Sequence, residues 1–216
     1  MSLKRNSFNA DGKLSVLRLR TKDAAGKPIT PEYAVSEKNT EGKWVEVDTT
    51  QYVSGNLVKV EIKEKQWEGE TYNTVNLYLK DGKDLYLIDC RINMLNRSLF
   101  NAFLSLDTFE NLSISTYMQK SKKDGKEYGA ISLRQGEELV HWKYSQSELP
   151  KPVSVTFKGK TMNDFSQADA FFLEKLKELS VKMGGKKVTS IKTENLSPQA
   201  TEVVSSNIKE DQEIPF

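Results

Sequence analysis

The chain has 216 residues, of which 29% are charged and 37% hydrophobic, and its formal net charge is +2 at pH 7. This composition suits a globular protein with a polar surface, and no apolar run approaches the roughly 20 residues that a membrane-spanning helix needs. Cys90 is the only cysteine, which excludes an intrachain disulfide and favours a reducing, cytoplasmic compartment. No apolar segment of a secretory signal follows the first residues, and a cytoplasmic protein is expected.

The charge is unevenly distributed along the chain. From Glu194 onward, five carboxylates accompany one lysine, so the rest of the chain carries a net positive charge. A basic body with an acidic end is typical of a domain that binds a polyanion and has a separate segment for binding proteins.

Alternation of apolar and polar residues predicts several β-strands. A first strand is expected at Leu14–Leu19. Residues 21–42 are rich in Gly, Pro and charge, and they predict a loop with a short extended piece at Tyr33–Val35. The next three strands are expected at Leu57–Trp67, Tyr72–Lys80 and Leu85–Ile92, with Asp81-Gly82 forming the turn between the last two.

Helical spacing begins after the third of these strands, and Asn93–Leu106 is expected to form an amphipathic helix. Two further strands, Leu112–Gln119 and Glu127–Arg134, are expected to form a hairpin around Asp124-Gly125. A two-residue turn there would place Met118 opposite Ile131. A further strand is expected at Leu139–Tyr144.

The C-terminal third combines irregular sequence with one clear helix. Residues 145–163 are expected to be irregular around a short extended piece at Val153–Phe157. Asp164 is expected to cap a helix that runs to about Met183, and the apolar stripe of this helix must be covered by a barrel wall or by a second subunit.

Five strands with a helix between the third and fourth follow the order of an oligonucleotide-binding (OB) barrel. The strands would be Leu57–Trp67, Tyr72–Lys80, Leu85–Ile92, Leu112–Gln119 and Glu127–Arg134. The predicted fold class is mainly β with helices (α+β): a five-stranded OB-like barrel with a bridging helix, extra N-terminal strands and a C-terminal helix.

The last seven residues, Glu210 to Phe216, combine three carboxylates with Ile-Pro-Phe. So short a segment buries too little apolar surface to offset the entropy of ordering it, so it is expected to be mobile. Its aromatic side chain can fill a pocket on another protein, and its carboxylates can meet Lys or Arg around that pocket. This segment is therefore expected to be a docking peptide.

This ending closely resembles the acidic Ile-Pro-Phe terminus of the bacterial single-stranded DNA-binding protein family, and phage-encoded functional equivalents often share an acidic tail with a terminal aromatic. The matching positions are Asp211, Glu213, Ile214, Pro215 and Phe216, with Glu and Gln where bacterial tails usually carry aspartates. The body of the chain shows no family signature. The resemblance implies binding of single-stranded DNA in replication, recombination or repair, in a bacterium or a phage-infected cell. It also implies recruitment of replication or recombination proteins, and occupation of its own groove by the tail when DNA is absent.

Binding of single strands without sequence preference needs aromatic rings for the bases and cations for the phosphates. The outward faces of the predicted strands offer both, and each stacked base contributes about 1–3 kcal/mol. The same residue types also occur on ordinary sheet surfaces, for packing reasons or to protect an edge. The candidate DNA-binding residues are Lys59, Lys63, Lys65, Trp67, Tyr72, Tyr78, Lys80, Tyr117, Lys122, Lys123, Tyr128 and Arg134.

No enzymatic activity, cofactor or metal is expected. One histidine and one cysteine do not make a His-rich or Cys-based metal site, and no P-loop occurs. Two alternatives to DNA binding stay open: an RNA-binding OB module, and a structural or adaptor protein whose sheet binds protein. No membrane partner is expected, and homo-oligomerisation is left open.

The expected organisation has five segments. They are N-terminal strands and loops packed on the barrel (1–56), an OB-like nucleic-acid-binding core (57–145), an extension with a helix at 164–183 (146–185), a flexible linker (186–209) and the acidic docking segment (210–216).

Overall fold

The computed structural model describes residues 12–67, 69–121, 125–157 and 160–184, apart from the side chains at positions 67, 70, 157 and 160. The predicted linker (186–209) and docking segment (210–216) lie outside these residues. The described chain is mainly β with two helices. Its elements are β1 (Leu14–Lys22), β2 (Pro28–Lys38), β3 (Trp44–Thr50), β4 (Tyr52–Trp67), β5 (Glu70–Asp81), β6 (Asp84–Arg91), α1 (Met94–Leu104), β7 (Leu112–Lys120), β8 (Glu127–Gln135), β9 (Glu138–Leu139), β10 (Val153–Phe157), β11 (Lys160–Asp164) and α2 (Ser166–Lys182).

Nine strands form one open, mixed sheet in the order β3-β2-β1-β6-β5-β4-β7-β8-β9. All neighbouring pairs are antiparallel except β1 and β6, which run parallel. β10 and β11 pair with each other in a separate hairpin. Neither helix of the described chain is long and apolar enough to cross a bilayer.

β4 is shared between two halves of the sheet. Residues 52–55 pair with β7, whereas the residues from Asn56 onward pair with β5. Gly55, at the junction, has a φ of 152°, and a Cβ atom there would lie 2.8 Å from the carbonyl oxygen of Lys80. A bulge follows between Leu57 and Lys59. The glycine allows the close approach, and the bulge bends the strand where it changes partner.

The core lies on one face of this sheet, called here the core face. The alternation predicted from the sequence places Val60, Leu77 and Ile88 there, all buried. Both helices pack on this face and contribute Phe100, Phe103, Phe172, Leu176 and Leu179 to a single hydrophobic cluster. The apolar stripe of α2 is thus covered by the open sheet, where a barrel wall or a second subunit was expected. The hydroxyl of Ser180 strengthens that contact by donating to the Val60 carbonyl at 2.6 Å.

The helix and hairpin predicted in the centre of the chain are confirmed. Asn93 caps α1, because its side-chain oxygen accepts a hydrogen bond from the Asn96 amide at 2.9 Å. The β5–β6 turn contains Gly82, whose φ of 60° suits a tight hairpin. Ile88 lies in the core as predicted, and Tyr86 packs half-buried against it.

The structure differs from the sequence prediction in the following places. Residues 28–38 form an eleven-residue strand, β2, where a loop was expected, and β3 follows it unpredicted. The β7–β8 ladder pairs Met118 with Gly129 and not with Ile131, because the turn between the two strands is longer than two residues. The register is thus shifted by two residues, and since side chains alternate with period two along a strand, each one stays on its predicted face. The strand expected at Leu139–Tyr144 is only Glu138–Leu139. Asp164 ends β11 and the N-cap position of α2 is Phe165, although the Asp164 carboxylate does accept a hydrogen bond from the Ser166 amide at the start of the helix, at 2.8 Å.

The sheet curls so that β2 also meets β7 and β8. The Thr116 hydroxyl donates to the Pro31 carbonyl at 2.5 Å, and a Cβ atom on Gly129 would lie 2.5 Å from Cγ of Pro31. The five strands expected to form a barrel are β4 to β8, in the predicted chain order with α1 between β6 and β7. A closed barrel of these five strands would need β6 to pair with another of them besides β5. In the described ladders β6 pairs with β1 instead, and a closed five-stranded barrel is therefore not seen.

Candidate nucleic-acid interface

The sheet face opposite the core, called here the outer face, collects the alternating polar residues of β1 and β4–β6. Cross-strand registers align these side chains in rows that run perpendicular to the strands. One row joins Lys65 and Tyr72, and the next joins Lys63, Thr74 and Arg91. A third row joins Glu61, Asn76, Asp89 and Arg18, and a fourth joins Lys59, Tyr78, Leu87, Val16 and Ser36.

Glu61 organises the first group of cations on the outer face. Lys59 Nζ lies 3.0 Å from one carboxylate oxygen, Lys63 Nζ lies 3.3 Å from the other, and the Tyr78 hydroxyl donates to the latter at 2.8 Å. Burial raises the pKa of Glu61, but the hydrogen bonds from Tyr78, Lys59 and Lys63 outweigh it and lower the pKa to about 2. The carboxylate is therefore ionised at neutral pH and holds two ammonium groups beside one aromatic ring.

Asp89 organises a second group of cations. Lys65 Nζ lies 2.9 Å from its carboxylate, and Arg18 Nε lies 3.8 Å from it. The Arg18 side chain is largely exposed, and Lys65 is half-buried. Lys65 lies on β4 beside the Glu61 group and Arg18 lies on β1, three strands from β4, so the cations form a band that runs across the sheet from β4 to β1.

Three aromatic rings accompany these cations. The Lys59 ammonium lies 5.0 Å from the ring centre of Tyr78, and the Arg91 guanidinium lies 4.7 Å from that of Tyr72. Trp44, on β3, is 45% exposed, and Lys38 lies 5.6 Å from its ring. Cations beside rings suit a nucleic acid, because a phosphate can attract the cation while a base takes its place on the ring.

The structure brings together five of the predicted DNA-binding residues, Lys59, Lys63, Lys65, Tyr72 and Tyr78, on this face. Lys80 follows on β5 with the same alternation and is exposed. The side chain of Trp67 lies outside the described residues, and so do Lys122 and Lys123.

Tyr117, Tyr128 and Arg134 lie apart, on β7 and β8. Tyr117 is 40% exposed, and Arg134 donates to the Glu137 carbonyl at 2.7 Å. Tyr117 and Tyr128 line a groove of about 880 Å³ between β7–β8, α1 and residues 139–146, together with Trp142 and Leu139. These three predicted residues are therefore not part of the band formed by the others.

Several residues of the outer face were not among the predicted site residues, among them Arg18, Trp44, Asn76 and Arg91 and the two carboxylates, Glu61 and Asp89. The sequence did contain a pattern that predicts a strand at Trp44, because residues 44–48 (Trp-Val-Glu-Val-Asp) place the two valines on one face, after a turn that contains Gly42. The parallel pairing of β1 with β6, which brings Arg18 beside Asp89, joins residues far apart in sequence and left no local signal.

Side chains from all six strands β1–β6 line a pocket of about 230 Å³ on the outer face. The contribution of strands on both sides of β6 shows that the outer face is concave at this point. The lining residues are Val16, Arg18, Ser36, Trp44, Lys63, Lys65, Asn76, Leu87 and Asp89. This concave, basic and partly aromatic surface is the candidate site. In the described chain, no cluster of His, Cys, Asp and Glu has the geometry of a metal centre.

No protein-family model matches the chain, and comparison with curated proteins and with solved structures also found no match.

Proposed function

We propose that this protein binds single-stranded DNA without strong sequence preference, through the outer face of β1 and β4–β6. One observation carries the proposal. Lys59, Lys63 and Lys65 share the outer face with Tyr72 and Tyr78, and neighbouring strands add Arg18 and Arg91 to it. This face is concave where Arg18, Lys63 and Lys65 line the pocket. Aromatic rings and cations on one surface are what a single strand requires.

The carboxylates on this face fit the proposal as counter-charges. In the absence of DNA, Glu61 and Asp89 pair with four cations and keep their charge balanced on this face. Phosphates must compete with these carboxylates for the ammonium groups, which limits the affinity, and the counterions that the bound phosphates release make the affinity fall as salt rises.

We also propose that the fold is derived from an OB barrel, because β4–β8 and α1 follow the chain order of that barrel. The sheet is shared at β4 between two halves, and β1 and β2 are inserted between β6 and the β7–β8 pair. We regard the insertion as widening the binding face, because it places Arg18 and Trp44 beside the lysines of β4.

Residues 210–216 support a second part of the proposal, recruitment of replication, recombination or repair proteins. The support is the resemblance of Asp211, Glu213 and Ile214-Pro215-Phe216 to the family's acidic terminus. An aromatic anchor with flanking carboxylates suits a pocket ringed by Lys or Arg on the partner.

Titration of the full chain with oligo-dT at several salt concentrations tests the binding. We expect tryptophan fluorescence to be quenched as bases stack, and the affinity to fall steeply as salt rises. Absence of both effects would favour the structural or adaptor role.

An RNA-binding role is separated by competition between DNA and RNA oligomers of equal length and sequence. Stacking and phosphate contacts do not depend on the sugar, whereas a contact with the 2′-hydroxyl would favour RNA. Tighter binding of the RNA oligomer would contradict the DNA assignment.

A further inference from the structure

Asn76 is a buried polar residue whose amide oxygen has no visible role in the fold. It is 4% exposed, and its Oδ1 atom has no hydrogen-bond partner among the described residues. Buried amide oxygens are normally paired, so one that is not calls for an explanation. Its side chain lines the pocket on the outer face, between Glu61 on one neighbouring strand and Asp89 on the other.

The surroundings of Tyr78 are consistent with one orientation of this amide. The single hydroxyl proton of Tyr78 is donated to Glu61 at 2.8 Å. The Asn76 side chain lies near the same hydroxyl and lowers the pKa of Tyr78, which is the effect of an amide N–H directed at the phenol oxygen. The amide nitrogen therefore faces Tyr78, and the oxygen is left as an acceptor at the floor of the pocket.

The other walls of the pocket suit a flat, partly apolar group. Val16 and Leu87 provide apolar surface, and the Trp44 ring is 45% exposed at the rim. Arg18, Lys63 and Lys65 supply positive charge at the same pocket. The volume of about 230 Å³ is below the roughly 300–1,000 Å³ typical of sites that enclose a whole drug-sized ligand. It suits a single ring system whose charged remainder stays outside.

We propose that this pocket holds one nucleobase of the bound single strand, deepening the DNA-binding function on which it rests. The base stacks on Trp44, and an N–H group on its Watson–Crick edge donates to Oδ1 of Asn76. Lys63 and Lys65 leave Glu61 and Asp89 for the adjoining phosphates, which uncovers the floor of the pocket. The N-terminal strands thus belong to the binding site, with Trp44 as its outermost aromatic platform.

The test measures the affinity of the full chain and its variants for oligo-dT and for an abasic oligomer of equal length. Trp44→Ala is expected to weaken oligo-dT binding by about 5- to 150-fold, the range for loss of one stacking platform. Asn76→Leu, which removes the acceptor at similar volume, is expected to weaken it by about 3- to 10-fold, as for one hydrogen bond. Neither variant is expected to change binding of the abasic oligomer.

Trp142→Ala is the matched control, because Trp142 is 46% exposed and lies outside this pocket. It is expected to bind oligo-dT like the unchanged protein. An oligomer of 3-methylthymine lacks the N3–H donor, so Asn76→Leu should no longer change its affinity. Thermal unfolding of each variant verifies that the fold is retained.

The outcomes separate this inference from the function on which it rests. If the unchanged protein binds oligo-dT and both variants bind it equally well, the pocket is not a base site, while the DNA-binding function stands. Equal weakening for oligo-dT and the abasic oligomer would also overturn the base contact. If the unchanged protein binds neither oligomer, the proposed function itself is wrong.

Discussion

The hydroxyl of Tyr78 donates a hydrogen bond of 2.8 Å to Glu61 across the β4–β5 ladder. Burial, together with the bond to ionised Glu61 and its charge, raises the pKa of Tyr78 to about 12. The same bond, with those from two lysines, lowers the pKa of Glu61 to about 2 against the effect of burial. Between these two pKa values the phenol is neutral and the carboxylate is ionised, and in this state the interaction between Tyr78 and Glu61 is most favourable.

Tyr78→Phe is expected to lower the free energy of unfolding at pH 7 and to reduce its pH dependence. Because the folded-state pKa of Glu61 is lowered from 4.5 to about 2, its stabilisation is present above pH 4.5 and lost as the pH falls toward 2. The raised pKa of Tyr78 stabilises the fold below pH 10, and this contribution is lost between pH 10 and 12. Urea unfolding across these two windows measures both effects.

Tyr52→Phe is the control for that experiment, since Tyr52 is exposed and lies on the other half of β4. It is expected to follow the unchanged protein in both pH windows. A Tyr78→Phe curve parallel to that of the unchanged protein would show that this hydrogen bond does not couple the two groups.

Glu61→Gln is expected to increase affinity for oligo-dT and to steepen its salt dependence. The substitution removes the carboxylate that Lys59 and Lys63 share, and keeps an oxygen that can accept from Tyr78. Both ammonium groups then become available to phosphates. Each additional phosphate contact with a single strand steepens the slope of log affinity against log salt by about 0.7.

Lys63→Gln is the complementary change and is expected to lower the affinity and make that slope shallower by about 0.7. Lys177→Gln is the matched control, because Lys177 is exposed on α2, which packs on the core face. Equal slopes for Lys63→Gln and Lys177→Gln would place the phosphate path elsewhere on the protein.

Gly129→Ala is expected to destabilise the protein by about 1–3 kcal/mol, the usual cost of inserting a methyl group into a packed contact. The new Cβ atom would lie 2.5 Å from Cγ of Pro31, and the proline ring has little freedom to move away. Ser132→Ala, on the same strand, is expected to change stability by less than about 0.5 kcal/mol. Urea denaturation measures both. Equal stabilities would show that β2 does not pack closely against β8.

The sequence predicted the elements whose signal is local. β4–β6 were predicted by period-two alternation, and α1 by its 3.6-residue spacing and by Asn93 before it. The outer-face position of Lys59, Lys63 and Tyr78 followed from alternation alone, because side-chain direction in a strand is set by parity.

The sequence did not predict what depends on distant contacts. β2 carries Pro28 and Pro31, which read as loop residues, yet Pro31 is accommodated where the sheet curls against β7 and β8. The parallel β1–β6 pairing has no local signature, so Arg18 and Trp44 could not be placed beside the lysines of β4. The missing hydrogen bond of Asn76 depends on three neighbouring strands and has no counterpart in the sequence pattern.

Removal of residues 210–216 is expected to leave the affinity for oligo-dT equal or higher, since the segment carries three of the chain's carboxylates and no lysine. The same truncation is expected to abolish binding to a replication or recombination protein, because the aromatic anchor and its carboxylates are lost together. Phe216→Ala, which keeps every carboxylate, separates the two contributions: loss of partner binding with unchanged DNA affinity assigns the anchor role to the ring. Parallel titrations of each variant with oligo-dT and with the partner measure these effects. If truncation instead abolished DNA binding, the segment would belong to the DNA-binding surface and its docking role would be wrong.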